Sequence, residues 1–228
     1  MDGPSAVCFK IMRKITAIVA QKKNRNRVNI HLDGEFAFGL AAIVAGWLRV
    51  GQELDEKKIG QLQAEDAKER ALQQALLFLG YRARSESEVR KNLEKHEIPE
   101  IVIEDTLERL RRDGLVNDDQ FAQSWVENRS TFRPRSRRMM AMELRRKGLD
   151  DEAMQPALQN VDDEALAYEA AQKRAPRFKG LEWIDFRKKL TGFLARRGFP
   201  YPVIATTVSR VWSEIHGEEQ YIEEEDTT

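Results

Sequence analysis

The chain has 228 residues, with 38 Lys and Arg against 38 Asp and Glu, so its formal charge is zero, and 41% of it is hydrophobic. That length can bury a substantial core, and 13 glycines and 7 prolines are too few for a mostly β fold. A single cysteine, Cys8, excludes an intramolecular disulfide framework and suits a reducing cytoplasm, and no apolar run approaches the roughly 20 residues that span a bilayer.

Residues 1–11 are too short and broken for a secretory signal and read as a flexible leader. A small β-rich module is expected over 12–66. MRKITAIV, from Met12, reads as its first strand and RVNIHL as its second, with the polar run QKKNRN between. Asp33-Gly34 marks a hairpin, because glycine accepts the positive φ that the favoured two-residue turn demands. A helix over AAIVAGWLRV is expected next; another begins near Asp55 and is interrupted or rejoined around Glu65-Asp66, where the module ends.

From residue 67 the pattern is helical and repeats. Leu93, Leu144 and Leu194 are spaced 51 and 50 residues apart. Four residues before them stand Val89, Met140 and Leu190, and five after stand Ile98, Leu149 and Phe199. Further on come Ile103, Met154 and Ile204, then Leu107, Leu158 and Val208, then Leu110, Val161 and Val211. All eighteen positions are apolar, and steps of three and four place them on one helical face. Gly148 and Gly198 suit left-handed helix ends, Pro99 and Pro200 suit the start of the next helix, and Ser85-x-x-Glu88 reads as a capping box. The fold expected is mainly α: three tandem three-helix repeats, 67–117, 118–161 and 162–217, stacked in an elongated, curved array behind the β module. The last residues, 218–228, read as a disordered acidic tail; GEEQYIEEEDTT carries six acids and no base, which leaves the preceding chain six positive charges in surplus.

No constellation suggests catalysis. A phosphate-cradling glycine loop is absent, and His31, His96 and His216 are scattered without metal-ligand or nucleophile–base spacing. Asp118-Asp119 and Asp162-Asp163 fall where helices begin, so capping is favoured over a Mg²⁺ site. Trp125 and Trp212 fall in the apolar phase of their helices and are assigned to the core rather than to base stacking; Trp183 is left open. No cofactor and no metal are expected.

The charge distribution is more informative. Between Arg129 and Lys147 stand eight basic residues and one internal acid. Arg133, Arg135, Arg137 and Arg138 lead into the middle helix of the second repeat, which ends in Arg145, Arg146 and Lys147. The third repeat carries Arg187, Lys188, Lys189, Arg196 and Arg197 at the matching stretch, after Lys173, Arg174, Arg177 and Lys179. A merely solvated face would interleave acids at i±4, and arginine forks suit phosphate or carboxylate, so the twelve at the two matching stretches, leaving aside Lys173 to Lys179, are assigned to a polyanion or acidic protein surface.

Three stretches, SESEVRKNLEKHEIPEIVIEDTLERLRRDGLVNDDQFAQSWVENR, RPRSRRMMAMELRRKGL and DFRKKLTGFLARRGFPYPVIATTVSRVW, resemble the RecX regulators of the RecA recombinase, and ITAIVAQKKNRNRVNIHLDGEFAFGL is similar to the β extension of some members. HEIP here replaces the commoner glycine-containing turn. The resemblance implies a non-enzymatic, cytoplasmic modulator of homologous recombination, DNA repair and the SOS response. It would lie along the RecA–single-stranded DNA filament as a monomer, away from membranes, and inhibit ATP hydrolysis and strand exchange. The rival reading is a helix-turn-helix transcription regulator of duplex DNA, although no dimerisation helix is evident.

Overall fold

A computed structural model describes the backbone of residues 12–225 and the side chains of residues 12–216. The leader expected at 1–11, with Cys8, lies outside the described residues. Two compact units form, one from residues 12–82 with 89–115 and one from 83–88 with 116 onward.

The first unit opens with an antiparallel sheet in the order β3-β2-β1-β4, built from β1 (Met12–Ala20), β2 (Arg27–Leu32), β3 (Glu35–Ala41) and β4 (Glu53–Asp55). Asp33 and Gly34 make the β2–β3 turn with φ of 54° and 93°, as the sequence predicts. Ile15, Ile30, Leu32, Phe38, Leu40 and Leu54 are buried together with Leu62 of helix α2 (Glu56–Leu79). Two expectations need correction here. The helix over AAIVAGWLRV shrinks to α1 (Ala42–Ala45), ended at Gly46, and leaves Trp47 89% exposed. The break at Glu65-Asp66 does not exist, because α2 runs through it unbroken. Asp66 is instead a buried clamp: its carboxylate accepts from the Ala41 N–H at 2.6 Å and from Arg27 at 3.0 Å.

The three-helix copies follow as expected. The first comprises the end of α2 with α3 (Glu86–Lys95) and α4 (Glu100–Arg112). The second comprises α5 (Asp118–Phe132), α6 (Arg137–Arg146) and α7 (Asp151–Leu158). The third comprises α8 (Asp163–Arg174), α9 (Trp183–Ala195) and α10 (Tyr201–Glu225), with a 3₁₀ turn at Ala175–Phe178. Of the eighteen repeat positions sixteen are buried, and Ile98 and Val161 are half-buried. One continuous core joins Met140, Leu144 and Met154 of the second copy to Phe186, Leu194 and Val208 of the third. Trp125, Trp183 and Trp212 all pack against it, which settles the tryptophan left open. The backbone of α10 is helical through Glu225, although a disordered tail is expected from 218; past Gly217 the chain consists mostly of helix-forming Glu and Gln, with no proline to stop it.

Within the second unit, successive copies meet through a repeated joint. Ser85 is fully buried; its hydroxyl accepts from the Glu88 N–H, closing the expected capping box, and donates to the Lys147 carbonyl at 2.6 Å. One copy later Ser136, equally buried, caps Met139 and donates its N–H to the Arg197 carbonyl at 3.0 Å. The turns received are those of Gly148 and Gly198, at φ of 85° and 87°. A Cβ on Gly148 would lie 2.2 Å from Ser87 Oγ, and one on Gly198 2.7 Å from Ser136 Oγ. The paired aspartates complete the joint: Asp118 accepts from the Glu86 N–H at 2.9 Å and Asp163 from the Arg137 N–H at 2.6 Å. Asp118 and Asp163 therefore cap the middle helix of the preceding copy and Asp162 caps its own helix, as the capping assignment has it, whereas α5 is capped by Asn117 rather than by Asp118 or Asp119.

Candidate polyanion-binding surface

The periodicity of α6 and α9 decides which cations reach solvent. On α6 the buried Met140 and Leu144 turn inward, leaving Arg137, Arg138, Arg145 and Arg146 exposed. On α9 the inward residues are Phe186, Leu190 and Leu194, and Arg187, Lys188 and Lys189 lie exposed between them, with Arg196 beyond the helix end. The twelve candidates then divide by what they touch.

Four are engaged internally. Arg135 pairs with Glu143, Arg145 with Asp151 at 2.8 Å, and Lys147 with Glu88 at 2.8 Å, while Arg197 donates to the Pro134 carbonyl at 2.8 Å. Glu143, the single acid inside the basic strip, also accepts from Arg129 at 2.8 Å and from the Trp125 indole N–H at 2.9 Å, and its side chain is only 12% exposed. Arg129 stacks 4.3 Å above the Trp125 ring. This half-buried network positions the start of the strip and takes Arg135 out of the freely solvated set.

The side chains of the other eight, Arg133, Arg137, Arg138, Arg146, Arg187, Lys188, Lys189 and Arg196, form no ion pair among the described residues. Arg137, Arg138 and Arg145 line a surface cleft of about 410 Å³ together with the apolar Ala141, Met154 and Leu158 and the acids Asp151 and Asp163. Arg133, Arg135 and Arg197 come together elsewhere, and Arg174 joins them. Burial first, and then the positive charges of Arg135, Arg133 and Arg174, pull the Arg197 guanidinium below its ordinary pKa. Arg174 stands outside the twelve because no spacing rule connects it to residues 23 and 41 positions away; its proximity is tertiary. No group of His, Cys, Asp and Glu among the described residues could hold a metal ion, and no helix among them is long and apolar enough to cross a membrane.

Comparison with known proteins accounts for nearly the whole described chain. The regulatory protein RecX N-terminal domain matches residues 13–55, and the first, second and third three-helix domains of RecX match 71–110, 117–158 and 162–208. The regulatory protein RecX of Bacillus pumilus is 34% identical over 94% of this chain and 82% of its own length. That of Bacillus velezensis is 35% identical over 83% and 74%. Among solved structures, a crystal structure of regulatory protein RecX superposes with a TM-score of 0.65 at 30% identity, covering 86% of this chain and 98% of that one. RecX from Lactobacillus salivarius gives 0.56 at 26% identity, covering 64% and 97%.

Proposed function

The chain belongs to the RecX family of regulatory proteins, and from that premise we propose that it acts by binding, without catalysis, on the RecA–single-stranded DNA filament in the cytoplasm. Bound there, it lowers ATP hydrolysis and strand exchange. The observation that supports this reading is the set of eight exposed cations on and beside α6 and α9 whose side chains form no ion pair among the described residues. An unpaired arginine gains more from a phosphate than a paired one, because no ion pair must first be broken. A filament offers both DNA phosphates and acidic side chains to such a surface. Its ligand shifts a filament only by preferring one of its states, so inhibition depends on nucleotide and salt.

The test is co-sedimentation with RecA, with and without single-stranded DNA and ATP, followed by ATPase assays with increasing protein. Truncation near Asn160 is a poor probe, because the second and third copies share one core. Charge reversal of Arg187, Lys188 and Lys189 leaves that core intact and should lower inhibition. Sedimentation with duplex DNA in preference to the filament would support the transcription-regulator reading instead.

A further inference from the structure

Three separate segments of the second unit bring guanidinium groups into one neighbourhood around Pro134 and Phe193. The connection between α5 and α6 supplies Arg133 and Arg135, on either side of the buried Pro134. The last turn of α8 supplies Arg174, and the turn between α9 and α10 supplies Arg197. Arg197 is fixed from two sides, by the 2.8 Å bond to the Pro134 carbonyl and by the Phe193 ring 4.4 Å beneath it. Arg174 stands 5.5 Å from the same ring and 5.4 Å from Phe178.

Charge here does not balance. Four cations are neighbours here, and among the described residues the carboxylate paired with one of them, Glu143 on Arg135, is shared with Arg129. Repulsion from Arg133, Arg135 and Arg174 adds to burial in destabilising the charged form of Arg197. Arg174 Nε is buried yet donates to no acceptor among the described residues. Aromatic faces compensate a guanidinium only in part, and a buried donor left unmade is costly. An arrangement that is unfavourable when empty and rich in oriented donors is preorganised for an anion.

We propose that Arg133, Arg174 and Arg197 form a built site for one phosphate-class oxyanion. The proposal rests on the polyanion reading of this surface and deepens it, by naming a chemical group and the three side chains that take it. Arg197 and Arg174 are held in place by their aromatic partners, and Arg133, exposed and unpaired, closes over the anion from solvent. The phosphate has two possible sources: a diester of a nucleic-acid backbone, or a terminal phosphate of a nucleotide or a 5′ end.

The test uses the full chain without recombinase, so its failure is distinct from failure of the filament reading. Thermal unfolding is followed in inorganic phosphate and in chloride at equal ionic strength. Phosphate several-fold above its Kd should raise Tm by about 2–4 °C over chloride. Arg133→Gln, at an exposed position without a side-chain partner, should weaken that shift severalfold without lowering Tm in chloride, since it relieves repulsion on Arg197. Arg174→Met, which keeps the apolar stem on Phe193, should abolish it. Oligothymidylates with 5′-hydroxyl or 5′-phosphate ends, and ATP, then compete against phosphate. Competition by the hydroxyl-ended strand assigns the site to backbone diesters; competition confined to the other two assigns it to terminal phosphates. Equal Tm in phosphate and chloride, or a phosphate shift that survives both substitutions, overturns the proposal.

Discussion

Glu97 and Gly148 occupy the same turn of successive copies, four residues after Leu93 and Leu144, and both are left-handed, at φ of 57° and 85°. Only Gly148 is walled in, by Ser87; Glu97 is exposed. The glycine in this turn thus answers two demands, a backbone angle and the close approach of a neighbouring helix start. The first copy meets the angle alone, which is why HEIP can stand where the other copies have glycine.

This separates two substitutions at equivalent sites. Glu97→Gly relieves a left-handed L-residue at some cost in unfolded-chain entropy and should stabilise by about 0.5–1 kcal/mol. Gly148→Ala adds that backbone strain to a collision with Ser87 and should destabilise by about 2–4 kcal/mol. Urea unfolding of the two variants distinguishes the demands. Equal small effects would mean that the turns do not dock.

Asp118 gives a pH prediction. Burial is the chief cause raising its pKa, aided by Glu86, Asp150 and Asp119 and opposed by the bond from the Glu86 N–H. Because the folded value lies above the unfolded one, the charged carboxylate costs stability, and that cost grows as pH rises from the ordinary aspartate range through the raised value. Asp118→Asn keeps an acceptor for Glu86 and carries no charge. It should match the wild type below about pH 3.5 and become the more stable protein toward neutrality. Denaturant midpoints across that range check the sign; a variant that loses ground as pH rises contradicts the assignment.

In the first unit, Asp66→Ala would strand Arg27 and the Ala41 N–H beneath α2 and should cost about 3 kcal/mol. A double-mutant cycle with Arg27→Met measures the coupling. Additive losses would show that the clamp is incidental.

For the exposed cations the informative quantity is salt dependence. Replacing Arg137, Arg138 and Arg146 by Gln should lower the log–log salt slope of single-stranded DNA binding by about 2, at about 0.7 per lost phosphate contact, without changing Tm. The same replacement at the internally paired Arg145 and Lys147 should flatten the slope less and lower Tm.

The repeat was legible because its signal is local. Steps of three and four report a buried stripe wherever the helix lies, and Val89, Met140 and Leu190 are indeed all fully buried. The strands and the Asp33-Gly34 turn were legible for the same reason. Glu53–Asp55 was not, since three residues paired only with Met12–Lys14 carry no period. Asp66 looked like a break because its partners lie 39 and 25 positions back. The i±4 test on the basic strip failed in three instances for a related reason: Arg135 pairs with Glu143, eight positions on, Arg145 with Asp151, six on, and Lys147 with Glu88, 59 positions away.

The serine shoulder and the glycine turn are unlike surfaces, so the joint between copies is head-to-tail, and a contact of that kind has no inherent end. Both end copies nevertheless depart from the pattern. The leading turn bears Glu97 in place of glycine, and eight residues before Leu194, where Ser85 and Ser136 precede their own anchors, the third copy has the buried Phe186. The third copy thus lacks the serine shoulder, and the first lacks the glycine in its turn. The two halves of the joint, serine shoulder and glycine turn, therefore meet only at the two internal junctions, Ser85 with the Gly148 turn and Ser136 with the Gly198 turn.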